Sequence, residues 1–345
     1  VNRQVLASLA VILVAGFLIH ALGVTLNFRR YSGDVVEEMM YFPSGHMLDI
    51  ASLGYETLVA DLLWLRGIQY YGEHRRTDRS YPLAEHVFST ITDLDPWFIG
   101  AYRFGAFVLS QDVGQPVAGV RLIRKGMLNN PGQWQLPFDL GFLYFIELDD
   151  HDRAAHFFRF ASWQDDAPQL AKRFSAFAYR KAGKTAMAKA LWEEILRSST
   201  NDVMKETAEH ALKSILRDEL ADSLRVRVDR FSRSTGMAPR TLSELVKAGL
   251  LRSVPPDPFG GEYFIDGETG DVLSSSEVLE QADHAKRYVE RLLTRYYDQE
   301  GTYPRALMDL KDTGLVEDLP RVPGTRIEYH PGEGTVDYVL TRGEM

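Results

Sequence analysis

From about Tyr55 to Arg217 the apolar residues recur at helical spacing, with almost no strand-like alternation. Three prolines, Pro96, Pro131 and Pro168, lie 35 and 37 residues apart and follow short polar turns such as Leu94-Asp95 and Asn129-Asn130. A proline after such a turn stops one helix and opens the next. The pattern predicts three to four antiparallel helix hairpins and a closing helix around Asp202–Arg217. Each hairpin carries a small residue where helices must approach closely: Gly67, Gly105 and Gly141, with Ala154, Ala161, Ala188 and Ala190 on second helices. A lone helix pair leaves an apolar stripe in water, and stacking on the next pair buries it.

The pattern changes after residue 217. Gly236, Pro239, Leu242, Leu245 and Gly249 are matched 65 residues later by Gly301, Pro304, Leu307, Leu310 and Gly314. The ungapped register continues through Leu250–Leu315, Pro255–Pro320, Pro258–Pro323, Phe264–Tyr329 and Gly267–Gly332. A duplicated module is therefore expected. Each copy reads as an amphipathic helix, a turn, a short helix closed by glycine, and a β-hairpin.

At the other end, Val5–Leu26 is a run of 22 residues with no formally charged side chain, between Arg3 and Arg29-Arg30. As a helix it spans about 33 Å, enough for a bilayer core. A cleaved signal peptide is the alternative, but its apolar region is normally shorter and ends in a small-x-small site. Residues 28–54 contain Met39-Met40-Tyr41-Phe42-Pro43-Ser44-Gly45, which predicts a helix break resting on the bilayer or on the first hairpin. The expected divisions are 1–27 as anchor, 28–54 as linker, 55–217 as helical array, and 218–280 and 281–345 as the two copies.

Composition narrows the function. A formal charge of −9 over 345 residues, without a basic stripe, argues against nucleic acid. The absence of cysteine excludes disulfides, thiolate metal sites and cysteine nucleophiles. No Gly-rich phosphate loop, His-Glu-x-x-His helix, Gly-x-Ser-x-Gly elbow or EF-hand loop is present in the sequence. No catalytic residue, cofactor or small-molecule substrate is expected.

The hairpin grammar resembles the tetratricopeptide repeat family, which implies an α-solenoid whose concave groove receives peptides or partner helices. Trp64, Tyr70, Tyr71, Trp97, Tyr102, Trp134 and Trp192 either line such a groove or pack between hairpins. Of these, Trp64, Tyr71, Trp97, Tyr102 and Trp134 are the partner-binding candidates.

The duplicated module resembles the C-terminal half of type II secretion pseudopilins and type IV pilins. The likeness rests on Gly236-x-x-Pro239-x-x-Leu242, Gly249, Asp257-Pro258-Phe259-Gly260 and Tyr263. The second copy lacks the Asp-Pro-aromatic-Gly phrase, and Gly16-Phe17 has Ala21 where a prepilin needs its acid. In that family a calcium ion braces the last loop. Asp257, Asp266, Glu268 and Asp271 are the candidate ligands, or else solvated acids of a tight turn.

The fold class expected is mainly α: a transmembrane helix, a tetratricopeptide-like α-solenoid, then two tandem small α+β pilin-head-like modules. The resemblances imply a non-enzymatic scaffold of the bacterial inner membrane with its body in the periplasm. Its partners would be proteins of a pilus, secretion or pilus-associated ABC transporter complex. The alternatives are a structural subunit of an envelope complex or filament, and a hydrolase or metal-dependent enzyme with a site assembled from scattered residues.

Overall fold

The computed structural model describes residues 52–341. The segment Val5–Leu26, read as a membrane anchor, lies outside them. Among the described residues no helix is long and apolar enough to cross a membrane. The protein is mainly helical, and the chain divides into two compact units, residues 1–188 and 189–345.

The first unit is a succession of helices: α1 (Glu56–Arg76), α2 (Ala84–Leu94), α3 (Ile99–Phe107), α4 (Pro116–Asn129), α5 (Gln135–Phe142), α6 (His151–Ala161) and α7 (Gln169–Lys181). α8 (Thr185–Ser198) runs across the division between units. α3 and α5 each end in a π-helical turn, Val108–Asp112 and Leu143–Glu147. Helices adjacent in sequence from α1 to α7 form hairpins, and α3 also touches α5 while α2 touches α4. The amphipathic pattern explains the stacking. On α2 the buried residues Ala84, Val87, Phe88, Ile91 and Leu94 fall on one stripe.

The hairpin period appears directly in side-chain contacts. Arg103 bonds Asp139, Gln111 bonds Glu147, Arg121 bonds Glu85, and Lys125 bonds the Ser89 carbonyl, each across 36 residues. Close approach is enforced by glycine. A Cβ at Gly105 would lie 2.6 Å from the Phe88 ring, and one at Gly141 would lie 2.6 Å from Phe158.

The second unit contains α9 (Asp202–Thr235), α10 (Leu242–Lys247), β1 (Tyr263–Ile265), β2 (Val272–Ser274), α11 (Ser275–Glu300), α12 (Asp309–Asp312), β3 (Thr325–His330) and β4 (Thr335–Leu340). Residues 202–235 contain no glycine or proline, so α9 runs unbroken through position 217, where the sequence suggested a boundary. α11 likewise runs through position 280, directly after β2. The duplication is visible in the backbone. Gly236 closes α9 with φ 75°, and Gly301 closes α11 with φ 73°.

Each copy has its own core. Leu224, Val228, Leu242, Leu245, Tyr263, Ile265 and Val272 form the first; Val289, Leu292, Leu293, Leu310, Val336 and Tyr338 centre the second. Phe264 and Leu273, on the opposite face of the first hairpin, pack against the second core. The first hairpin is therefore covered on both faces.

The ungapped 65-residue match fails at the strands. β1–β2 pairs Ile265 with Val272, and β3–β4 pairs Tyr329 with Val336, so the two hairpins correspond at 64 residues. Pro323 lies six residues before Tyr329, whereas Pro258 lies seven before the corresponding Ile265. A one-residue slip moves a strand side chain to the opposite face. Phe264 consequently does not correspond to Tyr329: Phe264 faces the other copy, whereas Tyr329 faces the core of its own. Gly270 and Gly334, 64 apart and both left-handed, mark the true register.

Candidate functional site

The side of α3 and α5 turned away from the tight glycine contacts forms a groove in the first unit, with a cavity of about 550 Å³. Its walls are mainly apolar, from Trp64, Phe104, Phe107, Phe142 and Ile146. Phe107 is 49% exposed and Ile146 61% exposed, although both are large and apolar. Such a clustered exposed patch is the informative observation, because single exposed apolar residues are ordinary.

Both π-helical turns lie at this groove and supply Gln111, Leu143, Ile146 and Glu147 to its lining. π-Turns are rare and occur disproportionately at functional sites. The polar groups of the groove are already engaged with each other. Arg103 Nε donates to Asp139 Oδ2 at 2.5 Å and Nη2 to Oδ1 at 3.3 Å, while Gln111 donates to Glu147. Burial pushes the Asp139 carboxyl up, and the Arg103 bond only partly offsets this. The same bond raises Arg103. What the groove offers an incoming group is apolar contact between paired polar walls.

The structure separates the aromatic candidates. Trp64 lies in the groove, packed on Phe98 and Phe104 with ring centroids 5.1 and 5.6 Å away. Trp97 is 72% exposed at the start of α3, outside the groove lining. Trp134 is half-buried against Phe138 and also outside that lining. Tyr71 and Tyr102 are core residues, so a partner-binding role for either is a correction. The Tyr71 hydroxyl donates to Asp112 at 3.0 Å, and Tyr102 is wholly buried with its hydroxyl accepting from Asn129. Tyr70 and Trp192 are buried as well. Aromatic identity alone does not tell the two faces of a hairpin apart.

Phe107, Ile146, Arg103 and Asp139 were not singled out from the sequence. The available signal was charge complementarity one hairpin period apart, since Arg103 and Asp139 are separated by the repeat length.

The proposed calcium ligands are not brought together. Asp257 is buried, and it accepts from the Phe259 N–H at 2.8 Å, from Ser276 at 2.7 Å and from Ser274. Burial pushes its carboxyl up, but these bonds and the nearby Arg217 outweigh that and hold it below the usual range. Asp266 closes its own turn by accepting from the Thr269 hydroxyl at 2.7 Å, while Glu268 and Asp271 are exposed. Among the described residues no group of three acids or histidines could hold a metal ion.

The second copy has buried Val322 where the first has Asp257. The difference has a local cause. β2 feeds straight into α11, whose cap Ser274 and following Ser276 require an acceptor, and no helix follows β4 among the described residues.

No protein-family model matches the chain, and no curated protein matches it in sequence.

Proposed function

We propose that this protein is a non-enzymatic, membrane-anchored scaffold whose groove holds a segment of a partner protein. The apolar run Val5–Leu26 supports the anchor, and the hairpin period supports a tetratricopeptide-like array. The Gly-x-x-Pro-x-x-Leu phrases and twin helix–hairpin modules support pilin-like docking heads. Together they favour a role in a bacterial pilus, secretion or pilus-associated ABC transporter complex, with the body in the periplasm.

The observation that carries the reading is the pair of half-exposed side chains Phe107 and Ile146 above internally paired polar groups. Such a surface suits apolar anchor residues of an amphipathic partner segment. The test compares capture of co-purifying proteins from detergent-solubilised membranes by the wild-type chain and by Phe107→Glu/Ile146→Glu. Capture is expected to fall at least about 30-fold, corresponding to loss of about 2 kcal/mol or more at a binding hot spot. Helicity should be unchanged, because both side chains already face water. Equal capture of the same partners would discard the groove as the docking site.

Membrane orientation has its own test. A reporter active only in the periplasm, fused after Met345, is expected to be active. A silent but well-expressed fusion reverses the assignment.

A further inference from the structure

α7 carries Lys172, Arg173, Arg180 and Lys181 and no acidic residue, in a chain whose formal charge is −9. Two of these cations are left without a carboxylate. Arg173 and Lys181 form no ion pair among the described residues, whereas Lys184, just past the helix, is paired with Asp152 at 2.6 Å. Each rests instead on an aromatic ring. The Arg173 guanidinium lies 5.7 Å from the Phe174 centroid, and the Lys181 ammonium 6.0 Å from that of Phe177. The helix dipole accounts for Lys181, which sits in the last turn, but not for Arg173 in the second turn.

These cations border the aromatic surface that lines the groove. Phe142, in the groove wall, meets Phe174 at 4.9 Å, and Phe145, in the adjoining π-helical turn, meets Phe177 at 5.7 Å. Phe177 is 44% exposed, although its ring is large and apolar. Arg173, Phe177 and Lys181 follow one another at i, i+4 and i+8, so an exposed phenyl lies between two unpaired cations on one side of α7. The groove's own Arg103 is already bonded to Asp139, so α7 supplies the free positive charge at this end.

We infer that the α7 edge of the groove takes an acidic stretch of the partner segment. Apolar side chains of that segment enter beside Phe107 and Ile146, and its aspartate or glutamate side chains pair with Arg173 and Lys181. The inference rests on the groove reading above and adds the chemical class of the partner. Charge complementarity selects the occupant. A basic or neutral segment leaves both cations unpaired, whereas carboxylates accept from N–H donors that the rings do not use. Continuity with the groove favours a peptide over lipid headgroups, because a bilayer surface does not enter a recess between stacked helices.

The test measures binding of two labelled amphipathic peptides, each of about four helical turns, to the full-length protein in neutral detergent by fluorescence anisotropy. Both peptides carry leucine on one face; the other face is glutamate in one and glutamine in the other. At about 0.05 M salt the glutamate peptide is expected to bind at least about fivefold tighter, and the difference should close at about 0.5 M. Arg173→Glu/Lys181→Glu and the milder Arg173→Gln/Lys181→Gln should both abolish the preference and leave binding of the glutamine peptide unchanged. Phe107→Glu/Ile146→Glu should weaken both peptides. Equal wild-type affinities, with both lost in Phe107→Glu/Ile146→Glu, would discard the acidic partner and leave the groove standing. Binding of neither peptide, or a preference that survives both α7 variants, would also overturn the inference. Displacement of the glutamate peptide, but not the glutamine peptide, by phosphatidylglycerol added to the detergent would decide for an anionic lipid surface instead.

Discussion

Replacing Phe158 by alanine is expected to destabilise the first unit by about 3–5 kcal/mol, the range for removing a fully buried aromatic side chain. Phe158 is wholly buried on α6. Its ring meets Phe138 at 5.4 Å, Phe142 at 5.1 Å and Phe174 at 5.4 Å, so it joins α5 to α7. It also occupies the space left by the missing side chain of Gly141. Truncation leaves a cavity between rigid neighbours, and close-packed interiors relax only partly around such a void. Urea unfolding followed by the fluorescence of Trp64, Trp97, Trp134 and Trp163 measures the loss. Phe107→Ala, at a half-exposed position, is the control and should cost far less. A loss under about 1 kcal/mol for Phe158→Ala would mean that the hairpins repack freely, contrary to the interlocked stacking described above.

Asp257→Ala is expected to cost the second unit about 2–4 kcal/mol, because a charge-assisted buried network is broken. Its removal strands the hydroxyls of Ser274 and Ser276 and the Phe259 N–H. The loop after α10 is then no longer tied to the start of α11. Acid should expose the same network. The folded-state carboxyl is held below its unfolded value, so its contribution is present above an unfolded pKa of about 3.9 and is lost as pH falls through the folded value. The stability difference between wild type and Asp257→Asn should therefore be largest near neutrality and shrink below about pH 4. Urea unfolding monitored by Trp192 fluorescence and circular dichroism tests this. A difference that grows on acidification would contradict the assigned role.

Helix periodicity and turn chemistry made much of the architecture legible. The prolines Pro96, Pro131 and Pro168 precede α3, α5 and α7, and the caps at Gly236 and Gly301 fall where the repeated phrases place them. These are local effects: a proline lacks an N–H, and a helix ends readily on a residue that accepts positive φ. The site was far less legible. Trp64 lines the groove, whereas Tyr71 and Tyr102 look equally suitable in sequence and are buried in the interior. Phe107 and Ile146 carry no motif that distinguishes them from core residues.

The strand register shows where local patterning stops. Proline and glycine matches set the duplication at 65, but hydrogen bonding between β3 and β4 sets the hairpin at 64. A single omitted residue near Pro323 decides which face of each strand is buried, and sequence similarity on both sides of it conceals the change. The acids of the first copy make the same point. Asp257, Asp266, Glu268 and Asp271 are close in sequence, yet serine hydroxyls, a threonine turn and solvent draw them apart.

The chain's own order of apolar, proline and glycine residues determined that the protein is mainly helical, where hairpins begin and that a module is duplicated, because each depends on neighbours within a turn or two. Only the tertiary structure decided which aromatic residues face a groove, how the two hairpins are registered and whether neighbouring acids converge. Those outcomes depend on packing and hydrogen bonds between positions far apart in sequence, where one inserted residue or one small side chain changes which groups meet.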